Sequence, residues 1–240
     1  MVSRFPNPVS IEVFPIMLLT LPGLLNEAQL DKIHEVLDRA EFVDGRLTAG
    51  FAASRVKNNL EMRQDPERMK LLIRIIMSSV GHNETFRFGA LPHRVADPIF
   101  ARYTPGMTYG DHVDDPIMGS QGPRFRTDVS MTIFLNPPDR YDGGELTVRT
   151  PFGDRKVKLA AGDAVLYPSS SLHHVAEVTR GERVVALTWI QSYVRDAARR
   201  ELLYELNLAR EALLKDAPEQ ATTGYVDRSY SNLLRMWADL

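Results

Sequence analysis

Val129-Ser-Met-Thr-Ile-Phe-Leu135, stopped by Asn136-Pro137-Pro138, is the stretch on which the fold reading turns. Val129, Met131, Ile133 and Leu135 alternate with Ser130, Thr132 and Phe134, which is the period-two pattern of a strand. Asp142-Gly143-Gly144 marks the next turn. Short strand candidates follow at 145–150, 155–160, 163–168 and 172–178. Gly153-Asp154, Gly162-Asp163 and Gly181-Glu182 lie between them or just after. Short strands with such regular punctuation predict a sandwich or a jelly-roll barrel over roughly 94–194.

Helices are expected on either side of this β region. Asn26 with Gln29 three residues on resembles a capping box, and Leu30, Ile33, Leu37 and Ala40 recur at helical spacing over 27–40. A second helix is predicted from Pro66 to Val80, with Met69, Leu72, Ile76 and Val80 on one stripe and Gly81 as its stop. Beyond the strands, Asp196 caps a predicted helix carrying Leu202, Leu206, Ala209 and Leu213. A final short helix is expected from Asp227 to Trp237. The fold class is therefore α+β: a double-stranded β-helix (jelly-roll) barrel with flanking N-terminal helices and a C-terminal helical extension. The organisation divides as 1–85, an N-terminal support region; 86–194, the jelly-roll domain; and 195–240, the helical extension.

Composition narrows the function classes. The chain has 240 residues, 44% hydrophobic and 25% charged, as expected of a globular protein with one sizeable core. A net charge of -2 provides no basic field for nucleic acid, so no nucleic-acid partner is expected. No cysteine is present, which excludes disulfides and thiolate metal ligands and suits a cytoplasmic location. The apolar run Ile11 to Leu25 is broken by Glu12, Pro15 and Pro22, so it is read as a core strand rather than a signal peptide or membrane span.

The chemistry lies in His112-x-Asp114, with His173 and Arg183 far downstream. Two imidazoles and one carboxylate are a ligand set for mononuclear non-haem Fe(II), leaving one face of the metal open. Residues two apart on a strand project to the same side, so His112 and Asp114 can reach one ion. Arg183 offers a rigid fork for the far carboxylate of a small diacid. His-x-Asp alone is a weak signal; the ordered set is what strengthens it. Alternation allows only one of His173 and His174 to face inward but does not choose between them. With Arg183 inward, Val185, Leu187, Trp189 and Gln191 share its face, and Val184, Ala186, Thr188 and Ile190 pack outward. His34, His82 and His93 lie apart from this set and read as solvated or flanking residues.

These residues resemble a known family. Tyr103-Thr-Pro-Gly106-Met-Thr-Tyr109-Gly-Asp-His112-Val-Asp114 is similar to the metal-entry strand of prolyl-4-hydroxylase-like 2-oxoglutarate dioxygenases. Tyr141-Asp-Gly-Gly-Glu-Leu146, Tyr167-Pro-Ser-Ser-Ser-Leu-His173 and Val178-Thr-Arg-Gly-Glu-Arg183 continue the pattern. Within that group the chain most resembles the bacterial PKHD-type hydroxylases, through Asp44-Gly-Arg-Leu-Thr-Ala-Gly50, Val56-Lys-Asn-Asn59 and Tyr193-Val-Arg-Asp196. Met17-Leu-Leu-Thr resembles the usual start of these proteins, which makes residues 1–16 an extension or a misassigned start.

The resemblance implies that His112, Asp114 and His173 bind Fe(II), the Leu-His-x-Val context selecting His173 over His174. It places Arg183, ten residues later, on 2-oxoglutarate, with Tyr103 as a further contact. The implied reaction couples oxidative decarboxylation of 2-oxoglutarate to succinate and CO2 with hydroxylation of a substrate C–H by O2, with ascorbate as the expected reductant. The substrate is an amino-acid side chain or a small molecule such as a siderophore, with a link to iron homeostasis. Met118 to Phe125 and Arg126 read as a lid over the site. The alternative is a non-catalytic iron-binding barrel acting as a sensor or interaction module. An open ligand set argues against it, because structural metal sites usually close their coordination shell. The C-terminal helices are also a candidate homodimer interface.

Overall fold

The computed structural model describes residues 17–119, 124–150 and 152–239; the N-terminal extension 1–16 lies outside them. β1 (Leu19–Leu21) leads into α1 (Glu27–Asp38), β2 (Phe42–Asp44), β3 (Lys57–Asn58) and β4 (Leu60–Met62). Helices α2 (Pro66–Val80) and α3 (Glu84–Ala90) follow. Next come β5 (Pro92–Val95), β6 (Ile99–Tyr103), β7 (Thr108–His112), β8 (Ile117–Met118), β9 (Phe125–Arg126) and β10 (Val129–Phe134). Then come β11 (Tyr141–Gly143), β12 (Leu146–Thr150), β13 (Gly153–Val157) and β14 (Ala164–Pro168). The β region ends with β15 (His173–Val175), β16 (Val178–Gly181) and β17 (Arg183–Ser192). Helices α4 (Ala197–Asp216) and α5 (Ala221–Trp237) close the described chain.

The helices form where their caps and stripes predict. Asn26 Oδ1 accepts the Gln29 amide at 2.9 Å and Gln29 Oε1 accepts the Asn26 amide at 3.0 Å, a complete capping box at the head of α1. Asp65 caps α2 and proline fills its first turn, while Leu72, Ile76 and Val80 are buried on its stripe. Asp196 caps α4 through the Arg199 amide. Helix α5 starts at Ala221, earlier than the expected Asp227. Helix α3, which was not expected, is capped by Asn83 and ended by Leu91 in a left-handed conformation.

The expected closed barrel does not form. The strands divide into an eight-stranded sheet, ordered β1-β14-β10-β17-β6-β4-β2 with β5 beside β17, and a five-stranded sheet, ordered β13-β12-β15-β7-β3. β11–β16 and β8–β9 stand as separate two-stranded ribbons. Turn punctuation sets where strands stop, but not which edges pair. Edge strand β13 exposes Asp154, Arg155 and Lys156, and a charged edge resists further pairing.

Two cores hold these layers together. Outside the large sheet, Ile33, Leu37, Leu72, Ile76 and Phe86 of α1–α3 pack on Met131, Ile133, Leu166, Val184 and Ala186. Between the sheets lie Tyr103, Phe134, Leu146, Val148, Tyr167 and Val185. Alternation on β10 and β17 thus separates the two cores, sending Ile133 and Ala186 to the helices and Phe134 and Val185 inward. Burial at about 25 cal/mol per Å2 of apolar surface makes either face costly to invert, so the register is fixed. A third cluster joins Leu91 and Val194 to Leu203 and Tyr230 of α4 and α5. No described helix is long and apolar enough to cross a membrane.

Candidate active site

The cavity between the two sheets is where the predicted ligands meet. His112 ends β7 and His173 opens β15, and the two are directly opposed across that antiparallel pair. Asp114 lies just beyond the end of β7, so it reaches the site from the irregular segment that follows rather than from within a strand. Its Oδ1 stands 3.9 Å from His112 Nε2 and 3.8 Å from His173 Nε2. One donor atom from each of the three lies within 4.8 Å of the others.

Hydrogen bonds decide which imidazole nitrogens are available. His112 Nδ1 contacts the Gly110 carbonyl at 2.8 Å and His173 Nδ1 the Ser171 carbonyl at 2.9 Å. A carbonyl only accepts, so each Nδ1 carries the proton and each Nε2 turns a lone pair toward Asp114. Burial, reinforced by the charge His173 can carry, holds the His112 imidazole well below its usual value and so in the neutral, ligating form. Tyr109 stacks on the His112 ring at 3.6 Å, and Tyr167 meets His173 edge-on at 5.1 Å. Two imidazoles and a carboxylate, convergent from one side, suit mononuclear Fe(II).

His174 points the other way. Its Nδ1 engages Asp111 at 3.0 Å on the outer face of the small sheet, with Arg149 on the same carboxylate. Its side chain is 26% exposed against 4% for His173, and only His173 lines the cavity.

Arg183 enters the same cavity from the first position of β17 and is 1% exposed. It is paired in register with Tyr103, and its guanidinium carbon lies 5.0 Å from the Tyr103 ring centre. Its Nε and Nη1 are buried with no hydrogen-bond partner. Two guanidinium donors left unsatisfied at that depth are costly unless an anion or other acceptor reaches them. Burial pushes the Tyr103 hydroxyl up to about 12, with the Arg183 charge opposing, so it remains a proton donor. Leu187 and Trp189 line the cavity as the alternation on β17 implied, but Thr188, expected to face outward, is among its lining residues as well.

Several groups at the site were given no role by the sequence reading, although Thr48, Lys57, Tyr141 and Ser169 lie in the motifs quoted for the resemblance. Ser130 of β10 donates its hydroxyl to Asp114 Oδ2 and contacts Ser169 Oγ at 2.8 Å. Lys57 Nζ bonds Glu61 Oε1 at 2.5 Å and Thr48 Oγ1 at 3.1 Å, forming a buried ion pair on the cavity wall. Tyr141 is fully buried, and burial raises its hydroxyl despite the nearby Arg183 charge. These contacts join residues from different strands, so no local spacing announces them.

Other expected elements lie elsewhere. Of the expected lid, Met118 lines the cavity and residues 120–123 fall outside the described residues. Arg126 is engaged by Asp128 Oδ1 at 2.6 Å and the Ser192 carbonyl at 3.1 Å. His34 contacts the Leu135 carbonyl, His82 the Ser78 carbonyl, and His93 the Tyr193 ring.

Comparison with known proteins agrees with this geometry. Residues 98–191 match the profile of the 2OG-Fe(II) oxygenase superfamily, and residues 196–239 match that of the PKHD-type hydroxylase C-terminal domain. A PKHD-type hydroxylase of Thioalkalivibrio sulfidiphilus is 51% identical over 224 residues, covering 93% of this chain and 100% of that protein. One from Synechococcus elongatus is 42% identical over 223 residues, with the same coverage. Among solved structures, a Pseudomonas putida prolyl-4-hydroxylase superposes with a TM-score of 0.53 at 20% identity, covering 74% of this chain and 93% of that one. At that identity the likeness is one of fold.

Proposed function

We propose that this chain, which belongs to the PKHD-type hydroxylases of the 2OG-Fe(II) oxygenase superfamily, grips 2-oxoglutarate through Arg183 and Tyr103 and hydroxylates an amino-acid side chain or a siderophore-like small molecule. That it is an Fe(II)- and 2-oxoglutarate-dependent dioxygenase with a His112, Asp114 and His173 metal site follows from the family and the convergence of those ligands. Fe(II) held there supplies the redox chemistry that couples 2-oxoglutarate decarboxylation to oxygen insertion.

The protein's own part is to bind, orient and exclude water. His112 and His173 are fixed by their Nδ1 hydrogen bonds, and Asp114 by Ser130. The unsatisfied Nε and Nη1 of Arg183 carry the co-substrate reading: two buried guanidinium donors without a partner call for an anion such as a carboxylate, and Tyr103 adds a hydroxyl donor beside them. The Tyr103 and Phe134 rings flank the Arg183 guanidinium, and their exclusion of water strengthens that contact. Ascorbate serves as reductant in this reading, and the setting is cytoplasmic.

The test is 2-oxoglutarate turnover, read as succinate formed, in wild type and Arg183→Ala. Charge-assisted hydrogen bonds are worth about 1.5–3 kcal/mol each, so the variant should need at least about tenfold more 2-oxoglutarate. An unchanged KM would remove Arg183 from the co-substrate site. A substrate screen over free amino acids, peptides and iron chelators would then follow, scored by substrate-stimulated succinate release.

A further inference from the structure

We infer that Ser130, backed by Ser169, is a positioning residue that restricts Asp114 to a single metal-facing oxygen. The inference rests on the iron and 2-oxoglutarate reading above. Asp114 presents two oxygens to different surroundings. Oδ1 lies 3.9 and 3.8 Å from the two Nε2 atoms. Oδ2 instead accepts the Ser130 hydroxyl.

The donor chain has one consistent direction. A serine hydroxyl has one proton, and that of Ser130 is given to the carboxylate. In the 2.8 Å contact between the two serines, Ser169 must therefore donate. Both serines are 2% exposed, so bulk water does not compete for these bonds. Backbone pairing fixes them as well: Ser130 is opposed to Tyr167 across β10 and β14, and the Ser169 amide bonds the Asp128 carbonyl at 3.2 Å. A buried hydroxyl needs partners, and these two find theirs in a line that ends on a metal ligand.

The consequence concerns vacancies at the metal. A carboxylate can bind a metal through one oxygen or both. A six-coordinate ion held by two imidazoles and one carboxylate oxygen would keep three positions for 2-oxoglutarate and O2. A second Asp114 oxygen would occupy one of them. A charge-assisted hydrogen bond to Oδ2 opposes that swing and orients the ligand.

The experiment titrates metal-free full-length protein anaerobically with Co(II), then titrates 2-oxoglutarate into the Co(II)-saturated sample. It compares wild type, Ser130→Ala, Ser130→Thr and Ser169→Ala. Ser130→Ala should bind Co(II) about tenfold to a hundredfold more weakly and should bind 2-oxoglutarate more weakly even at saturating Co(II). Its metal-free melting temperature should stay close to wild type. Ser169→Ala should move both affinities the same way by less, and Ser130→Thr should restore them.

Wild-type affinities in a folded Ser130→Ala protein would overturn the inference. So would weakened Co(II) binding with 2-oxoglutarate affinity untouched, because the second oxygen would then not be competing for a position. If Ser130→Ala does not fold, Ser169→Ala decides, and unchanged affinities there overturn the inference. Should wild type bind Co(II) but no 2-oxoglutarate, the co-substrate reading fails instead, and the Co(II) arm still measures the hold of Ser130 on Asp114.

Discussion

His112 and His173 face one another across a single antiparallel pair, β7 against β15, with their ring centres 4.2 Å apart. Two residues distant in the chain are thus placed by one ladder, and every neighbour of either strand acts on both.

Because strand alternation turns His174 outward, the two adjacent histidines should behave oppositely. His173→Ala should abolish metal binding measured by Co(II) titration. His174→Ala should retain it within a few fold, losing only the Asp111 contact on the outer face. Equal loss in both variants would mean that the face assignment of β15 is wrong.

Gly144 should be intolerant of any side chain. Its φ is +66°, and a Cβ there would stand 3.0 Å from Arg183 Cδ, 3.0 Å from Val178 Cγ2 and 3.1 Å from Tyr141 Cε2. Gly144→Ala should cost about 1–3 kcal/mol from backbone strain and, by displacing Arg183, raise the 2-oxoglutarate KM. Thermal melts and succinate assays read the two effects separately.

Breaking the buried Lys57–Glu61 pair should destabilise the fold more than removing it whole. Their side chains are 8% and 3% exposed, and Thr48 donates to the same carboxylate. Lys57→Met or Glu61→Gln alone should cost about 3–5 kcal/mol, because each leaves an uncompensated or half-satisfied buried charge. The double variant should lose less than the sum. Additive losses in urea denaturation would show that the two do not act as a pair.

Tyr103→Phe keeps the ring against Arg183 and deletes the hydroxyl, so 2-oxoglutarate affinity should fall about twofold to tenfold, one net hydrogen bond of about 0.5–1.5 kcal/mol. The hydroxyl is raised to about 12 by burial, so its proton is lost only as pH rises through that value. Its contribution to binding should therefore be flat between pH 6 and 9. A ratio of wild-type to variant affinity that falls with pH in that window would contradict the assignment.

Much of the site was legible in the sequence because it is local or strictly periodic. The alternation of β17 put Arg183, Leu187 and Trp189 on the cavity side, although Thr188, read as outward, lines the cavity too, and the Asn26–Gln29 box located α1 to within its last turn. Other features depend on pairings between distant segments. His-x-Asp was expected to use strand alternation, but β7 ends at His112 and the irregular segment after it delivers Asp114. Ser130 looked like an ordinary polar position of a half-buried strand until Asp114 was brought beside it. The expected barrel failed for the same reason: glycine turns announce strand ends, whereas closure depends on which edges meet.

Anaerobic addition of Fe(II) and 2-oxoglutarate, followed by visible absorbance, tests the central claim most directly. The account predicts a charge-transfer band at one iron per chain in wild type, absent in Asp114→Ala and weakened in Arg183→Ala at limiting 2-oxoglutarate. A fully iron-loaded wild-type protein that shows no band on addition of 2-oxoglutarate would contradict it.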